Sequence, residues 1–212
     1  MSLLRIEKSG FSDYLTEANG LLHKGFSEWM FHPGMLFGSR QKWWEDKIPE
    51  RPGPHEGLDI AFYRDIKGNI CLIDEMIEIP VMYSGRVLKI SDDDFLGKSI
   101  YVIHEDLTGR GGYNLHSIYA HATPFENICE GTHLNAGDIV CKIVDFKKTK
   151  ARMIHHLHIS TAFLPDDFPS ENMKWRIMAD PRYVKLEDPL AFMDIRFTVD
   201  EKISGVDIKK RL

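Results

Sequence analysis

Between Gly57 and Ile159 the sequence is cut into short, β-rich runs, and this constrains the fold more than any other feature of the chain. The runs are Leu58–Tyr63, Ile70–Ile73, Ile79–Met82, Arg86–Ile90, Ser99–His104, Ser117–His121, Ile139–Phe146 and His156–Phe163. Lys67-Gly68-Asn69 and Gly109-Arg110-Gly111-Gly112 separate some of them, with glycines free to turn the chain through positive φ. Many short strands with tight turns between them predict a mainly β fold, an antiparallel barrel or sandwich.

The flanks differ. Phe11 to Met30 carries Tyr14, Leu15, Leu21, Leu22, Phe26 and Trp29 at helix-like intervals, interrupted by Gly20 and Gly25. This predicts one or two short helices in an N-terminal arm lying outside the core, residues 1–34. Trp43 and Trp44 precede Pro49, Pro52 and Pro54, a stiff extended entry into the body. The two indoles either pack the arm onto the body or offer a glycan-stacking surface. After Leu164 a turn-rich stretch leads to a predicted short helix, Glu171–Met178, with Ser170 as its cap. Asp188-Pro189 opens another through Phe192, and a charged tail or extra strand closes the chain. The expected organisation is therefore the arm 1–34, a β domain 35–164 and a C-terminal extension 165–212.

With 32 acidic and 27 basic residues the net charge is -5, so the chain lacks the positive excess of a phosphate-backbone binder and nucleic acid is not an expected partner. Three cysteines cannot form a closed disulfide framework. Cys71 and Cys141 lie in apolar runs that read as core strand positions, and Cys129 lies in a polar stretch. There is no apolar run long enough to span a bilayer and no basic segment followed by an apolar signal core, so the chain as it stands is expected in the cytosol. Met1-Ser2-Leu3 in place of a trimmed export signal would reverse that expectation.

The ten histidines carry the chemistry. In a strand of period two, His156, His158 and Ser160 share one face, so two imidazoles from one strand meet at a single place. His55-Glu56-Gly57-Leu58-Asp59 is a poor helix and runs into a strand. Extended, it projects residues 55 and 59 to one side, a nitrogen and a carboxylate suited to a divalent metal or simply a solvated turn. His121 ends a third run. Two histidines and an aspartate make a three-ligand set with a fourth position open, the pattern of catalytic rather than structural zinc, and two further histidines remain for proton transfer. His104, His116 and His133 read as structural, His155 points to the opposite face from His156, and His23 and His32 belong to the arm. Asp92-Asp93-Asp94 reads as a solvated turn, with calcium binding the lesser alternative.

HEGLD from His55, YAH from Tyr119 and HLH from His156 resemble, in order and spacing, the lysostaphin-type (LytM-like) zinc metallopeptidases. Phe37-Gly38-Ser39-Arg40, Gly85-Arg86-Val87 and the Gly131 and Gly137 turn fit the weaker parts of that pattern, and the resemblance covers roughly residues 35 to 164. It implies a compact, mostly antiparallel β domain of the duplicated-hybrid-motif type. It further implies zinc held by His55, Asp59 and His158, catalysis by His121 and His156, and peptidoglycan peptides as substrate in a periplasmic or extracellular setting. The chain departs from the family in three places. Lys147 to Ile154 is a basic, bulky loop where the family has glycine and serine, Ser160 stands where the family often has an acidic residue, and Tyr63–Glu78 is a longer connection.

The resemblance thus implies a zinc endopeptidase acting on peptidoglycan. The alternative is a catalytically silent metal-binding or regulatory module of the same fold. A cupin-like metal enzyme also uses a His-x-His strand pair, but Ser160 and the residues after it do not supply the glutamate and histidine that reading needs.

Overall fold

The computed structural model describes residues 6–44, 50–92, 96–109, 112–145, 154–178 and 180–203. The segments 147–153 and 204–212, together with Asp93, Asp94, Arg110 and Gly111, lie outside the described residues. So do most of the basic loop and the end of the charged tail.

The chain begins with α1 (Phe11–Ala18) and β1 (Phe26–Phe31), followed by a 3-10 turn at Pro33–Met35. Then come β2 (Leu58–Ile60), β3 (Phe62–Asp65), β4 (Ile70–Leu72), β5 (Glu78–Pro80), β6 (Gly85–Asp92), β7 (Lys98–Thr108), β8 (Asn114–Pro124), β9 (His133–Leu134), β10 (Ile139–Ile143) and β11 (Leu157–Leu164). The last elements are a single-turn α2 (Trp175–Met178), β12 (Leu186–Glu187) and β13 (Phe197–Val199). The fold is mainly β, as expected, and is built of two open sheets. The larger runs β12-β11-β8-β7-β6-β9, with β2 on β11 and β10 bridging β8 to β5; the smaller runs β13-β1-β3-β4. The described pairings are antiparallel except β1 with β13.

The predicted run Leu58–Tyr63 divides between the two sheets. Leu58–Ile60 pairs with β11, whereas Phe62–Asp65 pairs with β1 and β4, and the switch falls at Ala61. All six residues are buried, because this stretch passes between the sheets and has no solvent face.

The N-terminal segment departs most from expectation. Only Phe11–Ala18 is helical. Residues 26–31 form a strand, since Gly20 and Gly25, at φ 59° and 81°, turn the chain back beside β3, whose edge offers backbone partners. Nor does the segment lie outside the core. Phe11, Leu15, Leu21, Trp29, Met30 and Phe31 are all buried in the main apolar cluster, together with β2, β8 and β11 side chains. Burying a large apolar side chain contributes about 1.5–3 kcal/mol, so these residues are part of what holds the sheets together. The Trp29 indole donates to Ser12 Oγ at 2.9 Å, which satisfies its buried N–H.

The expected helix 171–178 is interrupted. Ser170–Asn172 is a 3-10 turn preceded by Pro169, and the buried Met173 breaks the helical path before α2. The short helix after Asp188 is present, with the Asp188 carboxylate accepting from Leu190 N. The tail supplies an extra strand, β13. Cys141 is a core thiol pushed up in pKa by burial, but Cys71 is only half-buried and Cys129 is exposed; none is in a disulfide.

His104 and His116 are structural, as read from the sequence. Both are buried; His104 lies 3.1 Å from Ser84 O and 2.9 Å from Ser117 Oγ, and His116 lies 2.9 Å from Asn114 O. Burial pushes each imidazole down to about 4. Protonation is then easier in the unfolded chain, so their contribution to stability is complete above pH 6.5 and falls as the pH drops toward 4. The loss at that end is on the order of 3 kcal/mol each. Urea unfolding is expected to show stability declining from pH 6.5 to 4.5, and imidazole NMR to show both rings neutral across that window.

Candidate metal centre

In the β2–β11 pairing Asp59 and His158 are direct cross-strand partners, so their side chains rise from the same face of the sheet. His55 enters just before β2. The three donor atoms nearly touch: Asp59 Oδ1 is 2.8 Å from His158 Nδ1 and 3.2 Å from His55 Nε2, and the two nitrogens are 3.3 Å apart. Tetrahedral zinc with nitrogen and oxygen ligands places donors roughly 3.4 Å from one another, so the triangle is of the right size. All three residues are buried.

The outward atoms of the set are held by the protein. His55 Nδ1 lies 3.1 Å from Leu36 O, and His158 Nε2 lies 3.1 Å from Ser160 Oγ. Asp59 Oδ2 accepts from the Trp43 indole at 2.7 Å and from Arg51 at 3.3 Å. Arg51 also donates to Gly34 O and sits 4.5 Å over the Trp44 ring. Such outer contacts fix ring orientation and leave Nε2, Nδ1 and Oδ1 directed at one point.

That arrangement has an electrostatic consequence. Burial lowers the His55 pKa, while Nε2 faces Asp59 Oδ1 at 3.2 Å and Nδ1 faces Leu36 O. Burial would raise the Asp59 carboxyl, but His55 and His156, with hydrogen bonds from His158 and His55, hold it well below the usual carboxylate range. Asp59 therefore stays ionised, and an anionic oxygen with two imidazole nitrogens packed against it is the charge and donor type that a divalent cation takes. The donor set therefore fits a divalent metal.

The other two predicted residues reach the same place. His156 Nε2 is 3.7 Å from Asp59 Oδ1, while its Nδ1–H donates to Ile154 O at 2.7 Å; burial lowers its pKa. The His121 ring lies 5.1 Å from that of His156 and 6.0 Å from that of His158. His121 is a non-glycine residue at φ 54°, in a stretch where the β7–β8 register slips between Lys98 and Ile100. A bulge there re-aims one side chain, and the strained backbone marks a position that the surroundings hold in place.

Sequence reasoning brought together His55, Asp59, His121, His156 and His158, and the structure places all five at one end of β2, β8 and β11. It did not find the contacts of Arg51 and Ser160, nor Trp175, whose ring stands edge-on to His158 at 5.1 Å. Trp43 is buried, which removes it as a glycan-stacking surface and fits the packing alternative. For Arg51 the one signal was its place between Trp43-Trp44 and His55; Trp175 had none. His32 caps the Pro33–Met35 turn by accepting from Gly34 N.

No family model matches the chain, and no curated protein does. Solved structures do. One is the antimicrobial peptidase lysostaphin from Staphylococcus simulans, at 16% identity over 78% of this chain and 53% of that one, with a TM-score of 0.46. The chain is similar to lysostaphin-type peptidases. A catalytic-domain structure of the prophage-encoded M23 protein EnpA from Enterococcus faecalis matches at 20% identity over 65% of this chain and 90% of that one, with a TM-score of 0.39. A zinc-containing peptidase from Vibrio cholerae matches at 13% identity over 64% and 37%, with a TM-score of 0.41. The chain spans about half the length of the lysostaphin structures it matches.

Gly57 is the tightest point of the site. A Cβ there would lie 2.3 Å from Ile159 O and 2.6 Å from Ser160 Oγ, and backbone cannot yield by that much without opening the β2–β11 pair. Gly57→Ala is expected to cost about 2–4 kcal/mol, read as a lower urea midpoint. An unchanged midpoint would show that the pair does not depend on this close approach.

Proposed function

We propose that the protein is a zinc-dependent endopeptidase that hydrolyses peptide bonds in bacterial peptidoglycan. His55, Asp59 and His158 are the metal ligands and His121 and His156 the catalytic residues. In this reading the catalytic body is residues 35–164, flanked by 1–34 and 165–212, and the setting is periplasmic or extracellular. The observation that carries it is the convergence of two imidazole nitrogens and a carboxylate oxygen within 3.3 Å, buried, with two further histidines beside them. The order of the three motifs in the sequence supports the same reaction class.

Held by His55, Asp59 and His158, zinc would supply Lewis-acid polarisation of a carbonyl and would bring the pKa of a water down to about 7. The chain's own groups do the rest. His156, with its Nδ1–H on Ile154 O, keeps the lone pair on Nε2 toward the ligand cluster, where it can take a proton from the attacking water. His121, with Nδ1 3.3 Å from Leu96 O, is set by the strained turn of β8 on the other side of His156. It can steady the developing oxyanion or pass a proton to the leaving amine. Arg51 and Trp43 hold Asp59 Oδ2, so the carboxylate presents Oδ1 alone. All five residues are of low exposure. No helix among the described residues is long and apolar enough to cross a membrane.

The test combines metal analysis with mass spectrometry of peptidoglycan fragments after incubation. About one zinc per chain and new peptide termini are expected. Asp59→Ala is expected to lose the metal. His121→Ala is expected to keep it and to lose about 10²–10⁴-fold in hydrolysis. A His121→Ala protein as fast as the parent would sink the catalytic assignment, and zinc without cleavage of any peptidoglycan preparation would leave a binding module. Arg51→Gln is expected to weaken zinc affinity about 10–100-fold in a chelator competition, with Arg51→Lys recovering part of it.

A further inference from the structure

The face of the larger sheet that carries His158 continues beyond the metal centre. Along β11 the residues on that face are His158, Ser160, Ala162 and Leu164. Their β8 partners are Ala120, Ile118, His116 and Asn114, and Ile118 is in turn opposite Tyr101 of β7. In an open groove this row would be a floor along which an extended peptide could lie. Here it is covered: Ser160, Ile118, Tyr101 and Ala162 are wholly buried. The cover comes from the chain after Leu164, where Met173, Met178 and Val184 pack on Tyr101, Ile118, Ala162 and Leu164 as a second apolar cluster. Phe168, Trp175 and Leu186 pack against its edge, and β12 pins the far end by pairing with β11. Trp175 is where this cover meets the metal centre, its ring edge-on to the His158 ring at 5.1 Å.

We propose that residues 168–178 and 180–186 form a fixed wall across the ligand-bearing face, with Trp175 as its specificity-determining tip. The site then admits a peptide from one side only, and favours short, free-ended cross-linked peptides over continuous peptidoglycan. An extended strand advances about 3.3 Å per residue, so one or two residues past the scissile bond on that side would already meet the indole. The cover is built into the core through Met173 and Met178, so it acts as a constant of the fold. This inference rests on the peptidase reading above and names the form of its substrate.

Two probes test it: soluble cross-linked stem-peptide dimers, released from bacterial peptidoglycan by a glycosidase and an amidase, and intact sacculi. Binding is measured on zinc-loaded His121→Ala protein, by calorimetry for the dimer and co-sedimentation for sacculi, and cleavage is measured on the parent. The dimer is expected to bind and be cleaved, with sacculi poorly retained. Adding Trp175→Ala is expected to raise the ratio of sacculus to dimer affinity by about tenfold, read on protein matched for zinc content, whereas Trp175→Phe behaves as the parent. Cleavage of the dimer with sacculi retained equally by either residue at 175 overturns the wall and leaves the peptidase reading intact. Zinc-loaded parent that cleaves neither probe removes the peptidase reading and the wall's role with it.

Discussion

The pairing of β2 with β11 is the interaction on which the rest depends. It puts Asp59 opposite His158, brings His55 in at the end of the strand, and closes only because Gly57 has no side chain to meet Ile159 O. Three residues of β2 would be a weak strand alone, and their stability comes from burial on both sides. The two sheets share this stretch of chain, since one step past Ile60 the backbone leaves for the smaller sheet at Ala61. The ligand strand is thereby tied to the packing of β1 and β3, and to Phe11, Trp29 and Phe31 near the start of the chain.

Around that strand the protein spends its polar side chains on orientation. Each donor atom in the cluster has a counterpart on the same residue held by a carbonyl, a hydroxyl, an indole or a guanidinium. The histidines differ from one another in these partners more than in their own chemistry. His104 and His116 are as deeply buried as His55 and His156, yet they lie against backbone carbonyls and, for His104, the Ser117 hydroxyl, and neither has Asp59 among its described partners, so they serve the core. Burial lowers the basicity of all four. Proximity to Asp59 is what separates a candidate ligand or proton carrier from a structural ring.

Two pairs of the candidate site residues were legible in local periodicity, since a two-residue repeat aligns 156 with 158 and an extended backbone aligns 55 with 59; joining the pairs and adding His121 rested on the resemblance. The strands between Ile70 and Phe163 were legible in the same local periodicity, apart from the two-residue β9, which falls where the sequence reads as a turn. What failed was whatever depended on distant parts of the chain. Phe26–Phe31 has apolar residues that satisfy a helical spacing, and only the edge of β3 makes it a strand. The break at Ala61 is invisible in a run that is apolar throughout. Arg51, Trp43 and Trp175 act on residues 8, 16 and 17 positions away from them in the chain, across folds of backbone that no local pattern reports.

The crowding of donor atoms at the centre has a wider meaning for this molecule. Asp59 Oδ1 and the two imidazole nitrogens stand within 3.3 Å of one another, and hydrogen bonds from the imidazoles to the carboxylate hold them together. A divalent cation seated on the same three atoms would take the place of the protons in those bonds, so its uptake would release acid to the solvent. The cohesion of the folded chain would then be coupled to the ionic supply of its surroundings.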